Sequence, residues 1–314
     1  LTYAPSQIAL PSLARTRLPI LIWNTQELRA VDASFTLSQM IDNHGVHGTQ
    51  DLANVLLRTG IRFKYLTGLP NDAATHAELM DFFTAAATIQ RLRNAHVGLL
   101  GYPFPAMGDL AADTNRLSAS LGCSCLPLSV PDFIRRSESA DASEAHELVQ
   151  EYKRRYAIAP DLTEADLRST ARAELALRAL VTEHRLDAFT YQFLAFGEDE
   201  RSTTLPFVAA SRLMSDGIGF AGEGDVMGAL GTAVFNWLHP PATFSEMFTI
   251  DFEGNAVFMS HMGEFNAAMA RRNNPIHLVA RPTQITRTRD RQLALVASLE
   301  PGPATLCAFT MGSA

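Results

Sequence analysis

Apolar residues along this chain follow two spacings that alternate with each other. Short unbroken apolar runs are separated by longer stretches in which apolar residues recur every three or four positions. Residues 77–93 place Leu79, Phe82, Phe83, Ala86, Ile89 and Leu92 on one stripe, which predicts an amphipathic helix leading into a second domain. From there the alternation is regular. Strands are expected at 97–102, 123–130, 188–196 and 218–221, and helices at 109–121, 142–156, 164–182, 205–215 and 226–238. Thr163 and Asp166 supply a capping signal for the helix at 164. Strand–helix alternation of this kind means a parallel sheet with helices on both faces.

The ends of the chain read differently. Residues 1–13 carry a Pro-Ser turn and a short amphipathic helix, and the run at 18–23 reads as a parallel strand buried on both faces. Helices follow at 35–43 and 50–58, the second capped by Gly48 or Thr49. After Pro240 helical spacing stops. Short strands are expected at 244–252, 256–260, 277–280, 293–299 and 305–310, separated by turn signals such as Glu253-Gly254-Asn255 and Pro301-Gly302-Pro303. The fold expected is α/β: two Rossmann-like parallel-sheet domains, the first incomplete, then the start of an antiparallel β domain. The boundaries expected are 1–76, 77–242 and 243–314.

Composition narrows the function. Of 314 residues 47% are apolar and 19% charged, and the net charge is −7. A chain so balanced offers no basic face to nucleic acid. No apolar run approaches the ~20 residues needed to span a bilayer, so no membrane partner is expected. Three cysteines, Cys123, Cys125 and Cys307, fit a reducing cytoplasm better than a disulfide framework. Cys123 and Cys125 are expected as buried thiols on one strand face, since no second Cys/His pair accompanies them. The arginines at 271, 272, 281, 287, 289 and 291 read as a solvated face or a subunit contact. The first residue is Leu1, in a segment that reads as the interior of a domain, so the chain is expected to be a piece of a longer protein.

Candidate chemistry concentrates in residues 218–261. An apolar run ends in Ala221-Gly222, Glu223 follows, and Asp225 stands where a helix N-cap belongs. That order puts Glu223 at the carboxyl end of a strand, where open α/β sheets bind ligands. Glu246 comes 23 residues later and His261 another 15 after that, each at the edge of an expected strand. Two carboxylates and an imidazole could meet on one divalent cation, although the spacing alone matches no compact metal signature. Solvated loop glutamates and an ordinary histidine remain the other reading. Elsewhere, His44 and His47 lie in a Gly-flanked helix start that suits ligand oxygens or a plain polar turn. The 101–108 loop lacks the Gly spacing and Lys of a phosphate loop. Its Tyr102, Phe104 and Met107 suit a ligand wall or simple packing.

The local text adds to this. GFAGEGD, the Phe244-Ser245-Glu246 segment, FEGN, the strand ending SHM, and LPILIWNTQ…DNHGVHGTQDL together resemble the L-arabinose isomerases, within the L-fucose/L-arabinose isomerase group. The resemblance implies that Glu223, Glu246 and His261 bind Mn²⁺ (Mg²⁺ or Co²⁺ as alternatives) and that both glutamates move protons. It implies an aldose–ketose isomerase that converts L-arabinose to L-ribulose by proton transfer between C1 and C2, with sugar contacts from His47 and Phe193, the latter placed late in a strand. It also implies a cytoplasmic trimer or hexamer with shared active sites. Family members carry a fourth metal ligand, a His nearer the C-terminus, and a sugar-contacting Gln in the first strand. Neither stretch is in this chain. Met247-Phe248 replaces the family's usual acidic-aromatic pair, which leaves the sugar open, with L-fucose or D-arabinose as alternatives. A non-catalytic sugar-binding relative and another polyol-directed metal enzyme are the competing classes.

Overall fold

The computed structural model describes residues 4–312. The chain divides into two compact units, Leu1–Gln90 and Arg91–Ala314.

In the first unit, a 3-10 turn at Ser6–Ile8 and helix α1 (Leu10–Leu13) lead to β1 (Leu21–Asn24). Helices α2 (Leu37–Asp42) and α3 (Gly45–Arg58), strand β2 (Lys64–Thr67) and helix α4 (Ala73–Leu92) follow. Thr36 and Gln39 close a reciprocal capping box that starts α2. β1 and β2 pair in parallel, Leu21 opposite Lys64. The strand expected to be buried on both faces is not: only Ile22 of β1 is buried. A two-stranded ribbon covers little of its own surface, and Ile22 is the residue of β1 that packs with Leu52 and Leu56 of α3. α3 also begins at Gly45 rather than Gln50, with His44 as its N-cap residue.

The second unit is built on β3 (His96–Leu100), α5 (Thr114–Leu121), β4 (Ser124–Leu128), α6 (Val130–Ser139), α7 (Ala142–Arg155) and β5 (Ala157–Ile158). It continues through α8 (Glu164–Glu183), β6 (Ala188–Tyr191), α9 (Phe193–Phe196), α10 (Phe207–Ser215), β7 (Gly219–Ala221) and α11 (Val226–Leu238). Its central sheet has the order β4-β3-β6-β7, parallel throughout, with Val97 opposite Cys125 and Ala188. Side chains alternate between two cores, as strand geometry requires. Leu100, Phe189, Tyr191 and Phe220 face the helices α6, α8 and α10 through Phe133, Leu177 and Leu213. Val97, Ala188 and Ala221 face α5 and α11 through Leu117, Leu230 and Ala233. Being covered on both sides explains why these strands read as continuous apolar runs.

A buried polar knot joins α7, α8 and α10. Glu174, with no exposed surface, accepts from Tyr152 Oη, Arg178 Nε and Arg212 Nε, each at 2.7 Å.

Antiparallel pairing appears toward the C-terminus, as expected. β8 (Glu246–Asp251) and β9 (Ala256–Ser260) form a hairpin with a register irregularity between Met247 and Thr249. β10 (His277–Ala280) pairs antiparallel with β11 (Leu293–Val296) and parallel with β5. The strand expected at 305–310 does not form. Phe309 instead packs on α11, its Cβ 2.7 Å from where a side chain on Gly231 would begin. Its apolar alternation reflects docking on a helix rather than a ladder. Among the described residues no helix is long and apolar enough to cross a membrane.

Candidate active site

β3 is the strand from which the sheet grows both ways: the chain passes to β4 on one side and later returns to β6 on the other. The crevice beyond the carboxyl ends of β3 and β6 is therefore the switch point where such sheets bind ligands. Three segments meet there. Phe104 N–H, from the loop after β3, donates to the carbonyl of Glu223 at 2.9 Å. Gln192 Nε2, just past β6, donates to the same carbonyl at 3.3 Å. Thr190 Oγ1 donates to Gly222 O at 3.3 Å and accepts from Gly224 N at 3.0 Å.

These bonds hold Glu223 at φ +65°, in the left-handed region that a non-glycine residue enters at a cost of about 1–3 kcal/mol. Strain of this kind gathers at functional sites because surrounding contacts must impose it. Gly224 follows at φ +83°, where an added Cβ would come within 2.5 Å of Tyr102 O. Asp225 then caps α11, its Oδ1 accepting from Gly228 N at 2.8 Å. Burial pushes the Glu223 carboxyl above its ordinary range and the charge of Glu246 pushes it further, with His261 acting the opposite way. Asp225 is also raised, chiefly by burial.

His261 follows β9 directly, and its side chain is only 4% exposed. Its Nδ1 lies 2.7 Å from Oε2 of Glu264, whose other oxygen accepts from Tyr191 Oη. The imidazole stands edge-on to Phe244, ring centres 4.9 Å apart. Burial alone would lower the His261 pKa. The charge and hydrogen bond of Glu264, backed by Glu246 and Glu223, outweigh it and raise the pKa overall. The outer nitrogen, Nε2, is buried and has no hydrogen-bond partner. It lies 2.6 Å from where a Cβ on Gly222 would be, so the absence of a side chain there gives the ring its place.

Glu246 opens β8 opposite Ser260, half-buried. Glu223, Glu246 and His261 thus share one electrostatic neighbourhood. They do not converge as a closed ligand set: among the described residues no three His, Cys, Asp or Glu side chains are grouped so as to hold a metal ion. Two like-charged carboxylates gain from closing together only with a cation between them. The donor types still fit a hard divalent cation, two carboxylates and one neutral imidazole. The orphaned Nε2, with Nδ1 tied to a carboxylate, is the arrangement metal-binding histidines commonly show.

The two residues expected at the sugar lie as follows. Phe193 is not late in a strand; β6 ends at Tyr191, and Phe193 opens the short α9, where Gln192 Oε1 accepts from Leu194 N at 3.2 Å. It packs on Phe104, ring centres 5.8 Å apart, and so stands beside the loop that holds Glu223. His47 belongs to the first unit, exposed on the first turn of α3, its ring 4.0 Å from that of His44. Glu264 and Tyr191 were missed. The His-x-x-Glu spacing of His261 and Glu264 was the available signal, but Met262-Gly263 between them reads as an ordinary turn. Tyr102 Oη donates to Glu198, a bond that raises the Tyr102 pKa to about 12 with help from burial.

Residues 101–238 match the family description "L-arabinose isomerase central domain". The chain is 28% identical to an L-arabinose isomerase of Acidothermus cellulolyticus, over 97% of this chain and 62% of the relative. It is 27% identical to one from a Nocardioides species over the same shares. A Geobacillus kaustophilus L-arabinose isomerase is 27% identical over 84% of this chain and 54% of its own length. The chain therefore spans under two thirds of the length of these relatives.

Proposed function

We propose that this chain, whose residues 101–238 match the L-arabinose isomerase central domain, forms much of a metal-dependent aldose–ketose isomerase that converts L-arabinose to L-ribulose. The observation that carries this reading is the pairing of a strained, half-buried Glu223 with a nearly buried His261 whose Nε2 has no partner. A non-catalytic binder has no use for a carboxylate held at φ +65° and coupled to a second carboxylate.

Isomerisation moves one proton between C1 and C2 of the open-chain sugar and another between their oxygens. Each transfer needs a side chain within about 3 Å of the proton it handles. Glu223 and Glu246 supply the pair. Burial and the charge of Glu246 both raise the Glu223 carboxyl, and one carboxyl of the pair gives a proton where the other takes one. Glu223, Glu246 and His261 would hold a divalent cation, Mn²⁺ by family resemblance. Such a cation, when bound, would supply Lewis-acid polarisation of the sugar carbonyl. Phe193 and Phe104 form an apolar wall near the Glu223 loop that keeps water from the carbon skeleton. By the same resemblance the working enzyme is a cytoplasmic trimer or hexamer in which His47 reaches the sugar of a neighbouring subunit.

The test is a panel of L-arabinose, L-fucose, D-arabinose and D-galactose with Mn²⁺ on the complete protein. Turnover of L-arabinose above the others supports the assignment. Preference for L-fucose or D-arabinose would move the substrate and keep the reaction, and no turnover of any aldose would remove both.

A further inference from the structure

The buried carboxylate of Glu264 takes no part in the chemistry proposed above, and it is not exposed to any ligand: its side chain is 1% exposed. Its two oxygens are spoken for, one by His261 Nδ1 at 2.7 Å and the other by Tyr191 Oη. Tyr191 is itself 2% exposed and belongs to β6, at the centre of the parallel sheet. A carboxylate buried this deeply persists only when its acceptors are filled by donors. Tyr191 Oη can fill one as a donor, and only an N–H on Nδ1 can fill the other.

We infer that Tyr191 and Glu264 are positioning residues that lock neutral His261 in the Nδ1–H tautomer. The Nε2 lone pair is thereby left without a donor, in the place beside Gly222 that the absence of a side chain there gives it. This rests on the reading of His261 as a metal ligand only for its purpose, not for its geometry. Three further observations fit. Phe244 and Phe220 flank the imidazole at 4.9 and 6.3 Å between ring centres, so the ring cannot flip without displacing aromatic packing. Nε2 has no hydrogen-bond partner, which would be costly for an Nε2–H donor and is natural for a lone pair reserved for a cation. The line Tyr191–Glu264–His261 also connects the rigid sheet to the hairpin that carries Glu246, since Ser260, next to His261, pairs with Glu246. Orientation of the ligand is thus set by the sheet core rather than by the exposed hairpin.

Ring nitrogen shifts separate this inference from the functional reading. In ¹⁵N-histidine-labelled protein without metal, at a pH where the ring is neutral, His261 should show the Nδ1–H pattern. An Nε2–H pattern in the unmodified protein would overturn the inference, with no variant needed. Glu264→Leu should redistribute the tautomers, and Glu264→Gln, which can still accept from Nδ1–H, should restore the original one. An unchanged tautomer in Glu264→Leu would also overturn it. A Mn²⁺ titration followed by electron paramagnetic resonance supplies the second readout. Glu264→Leu should weaken binding about 10–100-fold, as loss of a ligand's outer partner typically does, and Tyr191→Phe should weaken it less. Equal Mn²⁺ affinity in wild type and Glu264→Leu would contradict the positioning role. Failure of wild type to bind Mn²⁺ at all, with the Nδ1–H tautomer intact, would instead count against the metal site itself.

Discussion

The N–H of Phe104 reaches the carbonyl of Glu223 at 2.9 Å, tying the loop after β3 to the loop after β7 across the mouth of the sheet. That bond, together with those from Gln192 and Thr190 on the neighbouring segments, is what makes the left-handed backbone of Glu223 affordable.

Glycine at 223 removes the backbone strain and one half-buried carboxylate. Glu223→Gly should keep the stability of the wild type or raise it by up to about 1 kcal/mol, while isomerase activity is lost. Glu223→Val, β-branched and ill-suited to positive φ, should cost about 1–3 kcal/mol. Urea unfolding of the three proteins checks this. A glycine variant less stable than the valine variant would show that Glu223 is not strained.

How far the sequence revealed this site depends on which residues are considered. Asp225 as a cap, the apolar strand before it and the helix after it were all legible, because caps and buried parallel strands leave strong local signals. Phe193 was placed in a strand because AFTYQFLAF is apolar throughout; the chain turns at Gln192, whose side chain accepts from Leu194 N, and no periodicity reports that. β2 escaped notice since only Leu66 of Lys64-Tyr65-Leu66-Thr67 is buried. The Tyr191–Glu264 contact joins residues 73 positions apart and depends on tertiary packing alone.

The pair of Asp166 and Arg291, 2.5 Å apart, joins the start of α8 to the segment before β11. Its hydrogen bond from Arg291, then those from Thr163, outweigh burial and bring the Asp166 pKa down to about 2. A lowered folded pKa contributes stability that is present above the unfolded value and lost as pH falls through the folded one. Asp166→Asn should therefore cost about 2 kcal/mol at neutral pH. The gap between variant and wild type should close as the pH drops from the ordinary aspartate range toward about 2. A pH-independent gap in thermal melts would contradict the ion-pair account.

Glu174 is the shared acceptor of the buried knot, and Arg212, 8% exposed, depends on it for Nε. Glu174→Ala leaves that guanidinium buried beside a void and should cost about 3–5 kcal/mol. Glu151→Ala, removing the more exposed partner of the same arginine at 2.9 Å, should cost much less. Comparable losses in calorimetry would mean that the knot does not centre on Glu174.

Glu246→Gln should abolish turnover in the complete protein without unfolding it, because the residue lies half-buried at the start of an otherwise exposed strand. The same change removes the charge that raises Glu223, so the Glu223 carboxyl should titrate at lower pH than in the wild type. Carboxyl-carbon NMR reads that shift, and an upward movement would mean the two carboxylates are not coupled.

The most direct measurement is conversion of L-arabinose by the complete protein before and after removal of metal with EDTA. L-Ribulose formation should disappear in metal-free protein and return on addition of Mn²⁺. Full turnover by the metal-free protein would contradict metal dependence.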